Sequence, residues 1–225
     1  MIKLSHGTIM KLKNFAAIQP NLVYKGDGVL KTIAEANNIL AETLIEEKIE
    51  TPFGLYDLNE FLSVLDLVDN PEIEFAEDHA AIRDGKTYIK YVFANPMILT
   101  APTKEIAMPD ADVVINITQK DIDQIRRAAS VLKYSTFAIS CDPGKGEHRV
   151  KLTVEVERGA SGNIYSIEKD IVGKEPFNFK FQIGNIKILP GDYEVHLSSK
   201  KISKWVGPDA TYWIALELNS TYGAQ

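Results

Sequence analysis

Apolar residues recur at helical spacing in four stretches of the chain and alternate at period two through most of the remainder. In "SHGTIMKLKNFAAI", residues 5–18, Ser5 is a candidate N-cap and Ile9, Leu12, Phe15 and Ala16 form an apolar stripe. Lys11, Lys13 and Asn14 fall beside or opposite that stripe. In "YDLNEFLSVLDLV", Asp57 and Glu60 make a D-x-x-E capping pattern, and Leu58, Phe61, Leu62, Leu65 and Val68 mark a buried face. The third stretch, "ITQKDIDQIRRAASVL", has Thr118 as cap and Asp121 three residues on. Ile122, Ile125, Ala128, Ala129 and Leu132 form its stripe. At about 100° per residue Lys120, Arg127 and Ser130 fall on the far side, with Arg126 flanking the stripe. A fourth, shorter helix is expected over "FQIGNIKIL" and is stopped by "PGDY".

The intervening segments read as strands. "NLVYKGDGVL", "STFAISCDPGKGEHRVKLTVEVE" and "DYEVHLSSKKISKWVGPDATYWIALEL" are rich in β-branched and aromatic residues and are broken by G-D-G, D-P-G-K-G and G-P-D turns. "ANPMILTAPTKEIAMPD", punctuated by Pro96, Pro102 and Pro109, is the best linker candidate, about residues 95–110. The halves on either side also resemble each other. "LSHGTIMKLKNFAAI" aligns with "ITQKDIDQIRRAASV", matching Ile9 to Ile122, Leu12 to Ile125 and Ala16 to Ala129. The order helix, strands, helix, strands recurs. The expected fold class is therefore α+β with two similar domains, 1–108 and 109–225. An unrelated α+β fold with chance similarity is the alternative that the pattern leaves open.

Length and composition narrow this only a little. The 225 residues suit one large domain or two of ordinary size, and the 45% hydrophobic fraction is that of a folded globular protein. Cys141 is the single cysteine, which excludes an internal disulfide and fits a reducing, intracellular setting. No apolar run approaches the ~20 residues of a membrane span, and "MIKLSHGTIM" lacks the features of a secretory signal. Charge changes the picture more. The chain carries 25 Lys+Arg against 31 Asp+Glu, net -6. Residues 1–26 nevertheless contain only basic charges (Lys3, Lys11, Lys13, Lys25), whereas the acids concentrate between Glu35 and Asp78. Potential is set locally, so an acidic chain can carry one basic face.

Catalytic chemistry finds no support. His6, His79, His148 and His196 lack metal-ligand spacing, "DPGKG" is not followed by a helix and reads as a hairpin turn, and Cys141 has no basic neighbour in sequence. No enzyme, metal or cofactor is expected. The basic helix faces remain: Lys11 and Lys13 in one half, and Lys120, Arg126 and Arg127 in the other, on equivalent elements of the repeat. Lysines and arginines so placed suit sequence-independent neutralisation of phosphates. The competing reading is that Arg126 and Arg127 pair with Asp123 and other acids on an exposed helix.

"LSHGTIMKLKNFAAIQP", "GLYDLNEFLSVLDLV", "STFAIS", "FNFKFQIGNIKILPGDY" and "TYWIALELNST" together resemble the sliding clamps of tailed phages with a T-even-type replisome. The matches run in order from the first residues to the last. The resemblance implies a DNA clamp fold with two similar domains per chain and a homotrimeric ring of pseudo-six-fold symmetry. Antiparallel sheets would form its outer wall, and helices would line the hole through which duplex DNA passes. It implies a non-enzymatic processivity factor that tethers the polymerase through that enzyme's C-terminal peptide and is loaded by an ATP-dependent clamp loader. The same clamp would engage a sigma-type late transcription factor and its coactivator, and would work in the cytoplasm of an infected bacterial host. On this chain the DNA-facing positions would be Lys11, Lys13, Lys120, Arg126 and Arg127, with Lys187 added from the fourth helix. Ile106, Met108, Pro109 and Trp213 are candidates for a partner-peptide pocket. The second helix departs from a basic lining, because its polar side carries Asn59, Glu60, Ser63 and Asp66. The runner-up function is a β-rich phage structural or protein-interaction module without DNA binding.

Overall fold

Three helices and sixteen strands account for the regular structure of the computed structural model, which describes residues 1–102, 106–156 and 162–223. The chain divides into two compact units. The first comprises Met1–Glu105 with Lys187–Leu189 and Asp209–Tyr212, and the second comprises the remainder.

Unit 1 opens with α1 (His6–Ile18), where the Ser5 hydroxyl accepts the Thr8 N–H and so satisfies one of the four N–H groups that a helix start leaves unpaired. Strands β1 (Leu22–Tyr24) and β4 (Phe53–Leu55) pair antiparallel, as do β2 (Val29–Ile33) and β3 (Ile39–Leu44). Helix α2 (Leu58–Leu65) starts at Asp57, whose carboxylate accepts the N–H groups of Asn59 and Glu60. Glu60 does not return the bond to the cap; its carboxylate accepts the Tyr91 hydroxyl at 3.1 Å. Val68, expected on the buried face, lies beyond the helix and is half-buried. The unit closes with the antiparallel sheet β5 (Glu72–Phe75), β6 (His79–Asp84) and β7 (Thr87–Val92). Leu12, Phe15, Leu22, Tyr24, Leu55, Leu58, Phe61 and Ile82 fill the core, flanked by stacked rings at Phe53, Phe75 and Phe93.

The linker candidate contains one 3-10 turn, Pro96–Ile98, capped by the Asn95 side chain. Residues 103–105 of it lie outside the described residues, and 106–112 form no regular element.

Unit 2 begins with β8 (Val113–Ile117) and α3 (Gln119–Leu132). Thr118 and Asp121 complete a reciprocal capping box, and Lys133 ends the helix in the left-handed region at φ 58°. Helix α3 lies against β9 (Thr136–Asp142) and β10 (Glu147–Glu155). They belong to the antiparallel sheet β11-β10-β9-β12-β16, with β11 (Tyr165–Val172) at one edge, β12 (Phe177–Gln182) next to β9, and the two-residue β16 (Thr221–Tyr222) at the other. A second sheet pairs β8 with β13 (Tyr193–Ser198) and β13 with β14 (Ile202–Val206); β15 (Thr211–Ala215) follows in the chain, with Thr211 and Tyr212 in the first unit and Trp213–Ala215 in this one. Phe137, Ile139, Leu152, Val154, Phe179, Phe181, Val195 and Trp205 form the core.

The expected fourth helix is not there. Phe177, Phe179 and Phe181 are buried while Asn178, Lys180 and Gln182 are not, so the segment entering "FQIGNIKIL" is a strand. It is followed by a single 3-10 turn, Ile183–Asn185. The order helix, strands, helix, strands therefore does not recur at its third term. "DPGKG" is the tight connection between β9 and β10, with Gly146 at φ 79°, where a side chain would be strained.

Candidate nucleic-acid interface

The cations expected at DNA separate into two groups once their partners are known. On α1, Lys13 is exposed and makes no hydrogen bond or ion pair among the described residues. Lys11 is buried at 9% exposure, with its ammonium donating to the Leu44 carbonyl at 3.0 Å. The expectation that Lys11 stands beside Lys13 on an open face is thus corrected. Two residues along a helix turn the side chain by about 200°, and the inner one must find a buried acceptor. Lys187 is exposed, not on a helix, and donates to the Ala17 carbonyl in the last turn of α1 at 2.7 Å. That bond satisfies one of the carbonyls that a helix end leaves unpaired.

On α3, Lys120 and Arg127 are exposed and unpaired among the described residues. The competing ion pair is absent there: the Asp123 carboxylate instead accepts the Gln119 side-chain amide at 2.7 Å. Arg126 is half-buried, and its guanidinium donates to the Ile186 carbonyl at 2.7 Å, so it braces the helix. The start of α3 is held at several points. Asp192 accepts the Gln119 N–H at 2.7 Å, and the Gln119 side chain accepts the Gly191 N–H at 2.6 Å. The Asp121 carboxylate accepts both the N–H and the hydroxyl of Thr118 and, at 2.6 Å, the Lys169 ammonium. Burial works against that carboxylate, but the bonds from Lys169 and Thr118 outweigh it and hold its pKa below the ordinary aspartate value.

Lys169 was not among the sequence candidates, although one signal could have found it. Along "YSIEKDIV" the half-buried positions are Tyr165, Ile167, Lys169 and Ile171, so a cation stands on the apolar side of a strand. Such a charge needs a partner, and period two alone points to it.

The exposed side of α2 consists of Asn59, Glu60, Ser63 and Asp66 and carries no cation. Of the expected peptide-pocket residues, Ile106, Met108, Pro109 and Trp213 are all half-buried. The Lys204 ammonium lies 5.6 Å from the Trp213 ring centroid, and the indole N–H of Trp213 is buried without a partner among the described residues. Among those residues no group of three or more His, Cys, Asp or Glu could hold a metal ion. No helix is long and apolar enough to cross a membrane.

Comparisons with known proteins bear on the family and the fold. The family model described as "gp45 sliding clamp, C terminal" matches residues 114–218, and the model "DNA polymerase processivity factor" matches residues 5–97. The chain is 35% identical over 228 residues to the sliding clamp of Enterobacteria phage T4, covering 98% of this chain and 99% of that one. It is 33% identical over 231 residues to the sliding clamp of Escherichia phage RB69, with the same coverage. Among solved structures, the proliferating cellular nuclear antigen of Entamoeba histolytica superposes with a TM-score of 0.67 at 14% identity, over 96% of this chain and 98% of that one. At that identity the likeness speaks for the fold.

Proposed function

The chain belongs to the sliding-clamp family of DNA polymerase processivity factors and has the clamp fold, and on that footing we propose that it encircles duplex DNA as a homotrimeric ring. Each subunit supplies two clamp domains, 1–108 and 109–225, and the ring holds DNA topologically without catalysing a reaction. It tethers the replicative polymerase through a C-terminal peptide, is placed on DNA by an ATP-dependent loader, and serves a sigma-type late transcription factor with its coactivator. Its setting is the cytoplasm of the infected host. The peptide pocket is assigned to Ile106, Met108, Pro109 and Trp213.

The observation that carries this reading is that Lys13 on α1 and Lys120 and Arg127 on α3 are exposed and make no hydrogen bond or ion pair among the described residues, in a chain of net charge -6. Phosphates supply what the protein withholds from them. Lys11 and Arg126 are occupied by backbone carbonyls and drop out of the DNA-facing set, and Lys187 is shared with α1.

Ring closure from identical chains needs head-to-tail contacts between two different surfaces. Strands β7 and β11 are sheet edges, each with one neighbour among the described residues. Apolar side chains stand exposed along or beside them: Tyr88 and Val92 on the first, Ile164 and Val172 at the second. Open edges of this kind invite strand pairing.

The test is retention. A loaded clamp is expected to stay on closed circular DNA and to run off linear DNA of the same sequence. Equal retention on both would refute topological linkage. Arg127→Glu is expected to weaken loading and processive synthesis while the trimer mass is unchanged. Arg126 is the poorer probe, because its removal also unties α3 from Ile186.

A further inference from the structure

Helix α3 rests on its sheet through Ile122, Ile125, Ala128 and Ala129, all buried. Two alanines make a shallow ridge, and a shallow ridge resists rotation weakly compared with interlocked large side chains. One residue's rotation, about 100°, would carry Arg127 from the solvent side to the flank of the helix. Apolar packing alone therefore leaves the aim of Lys120 and Arg127 loosely set.

Polar attachments remedy this: beside the bonds of Gln119 with Asp192 and Gly191, two are made by charged side chains. At the first turn the Asp121 carboxylate meets the Lys169 ammonium at 2.6 Å, with side-chain exposures of only 9% and 18%. The same Asp121 oxygen holds the Thr118 N–H at 2.9 Å and the Thr118 hydroxyl at 2.8 Å, so the strand-borne lysine is joined directly to the capping box. One and a half turns on, the Arg126 guanidinium meets the Ile186 carbonyl at 2.7 Å. Lys169 sits on β11 between Ile167 and Ile171, where an apolar side chain would also fit the pattern. A buried ion pair is seldom the most stabilising choice at such a place; its best-attested use is to fix one register among near-equivalent ones.

We infer that Lys169 is a positioning residue: by binding Asp121 it fixes the rotation of α3 about its axis and thereby the direction of Lys120 and Arg127. The functional half of this rests on the reading of the exposed α3 face as DNA-facing; the rotational half does not.

Two measurements on the full-length protein separate those halves. Spin labels at Ser130→Cys on α3 and His148→Cys on β10 report the helix orientation without DNA. Lys169→Met, which keeps the stem and removes the ammonium, is expected to shift or broaden their distance distribution, and Lys169→Arg to restore it. An unchanged distribution in Lys169→Met overturns the inference whatever DNA does. The second measurement is the salt dependence of direct binding to a short duplex. Neutralising one phosphate fewer reduces the log–log slope by about 0.9. Lys169→Met is expected to flatten the slope, as Arg127→Glu does, with recovery in Lys169→Arg. If Arg127→Glu flattens the slope but a less heat-stable Lys169→Met keeps the wild-type slope, Lys169 is a structural brace only and positioning is overturned. If Arg127→Glu also leaves the slope unchanged while the spin-label distance responds to Lys169→Met, the DNA-facing reading has failed and the rotational mount stands.

Discussion

Lys11 and Lys13 are two positions apart on one helix and have opposite fates. Lys11 turns inward to the Leu44 carbonyl, whereas Lys13 faces solvent. Their substitution to alanine should separate accordingly. Lys11→Ala strands a carbonyl and removes a packed stem, and is expected to cost about 1–3 kcal/mol in denaturant unfolding. Lys13→Ala should fall within about 0.5 kcal/mol of wild type and show its effect only in DNA retention. Equal losses of stability would contradict the assignment of Lys11 as internal. Two of the expected basic positions, Lys120 and Arg127, were legible from helical phase, whereas Lys13 was placed with Lys11 and only the structure separates the two. The engagement of Lys11, Arg126 and Lys187 was not legible, since their acceptors are backbone carbonyls far away in sequence. No spacing rule shows where a distant carbonyl will be left open. Lys169 lies between these cases: its partner is 48 residues away, but its own place on an apolar strand face marked it as needing one.

Among the elements, a helix was readable where two signals coincided. Thr118 with Asp121 and the stripe from Ile122 to Leu132 agree, and α3 is found there, ending one turn short of the β9 strand. "FQIGNIKIL" had a stripe without a cap. Its first residue, Phe181, is the last of three alternating phenylalanines, so a window opened there cuts a strand in two. The capping box also sets an acid limit. Since the folded Asp121 pKa is lowered, its contribution is complete above the unfolded-state value of about 3.9 and is lost as pH falls through the folded value. The difference in melting temperature between wild type and Asp121→Asn should therefore be greatest near neutrality and shrink below about pH 4. Thr118→Ala is expected to cost about 1 kcal/mol at neutral pH. A difference that stays constant down to pH 3 would show that Asp121 acts only by filling space.

For the whole molecule the balance of charge matters more than any one contact. Lys13, Lys120 and Arg127 are few against a net charge of -6, so attraction to DNA outside a closed ring should be weak and easily screened. A clamp with that balance depends on linkage for its residence and on weak contacts for its mobility.

Cys141, the chain's single thiol, has a practical consequence. It is 3% exposed, and burial pushes its pKa up; its sulfur donates toward the carbonyls of Glu147 and His148. Gly173 covers it so closely that any side chain there would collide with the sulfur, 2.4 Å from a Cβ at that position. A thiol both neutral and shut in is a poor nucleophile, which makes the native protein chemically silent toward maleimides. Cysteines introduced at Val92 and Val172, exposed on β7 and β11, would then be the only ones to react. With a flexible bis-maleimide, head-to-tail neighbours should become covalent closed threes on a denaturing gel, with the single-site variants stopping at pairs at most. Chains left single in the double variant would mean that these two edges do not meet.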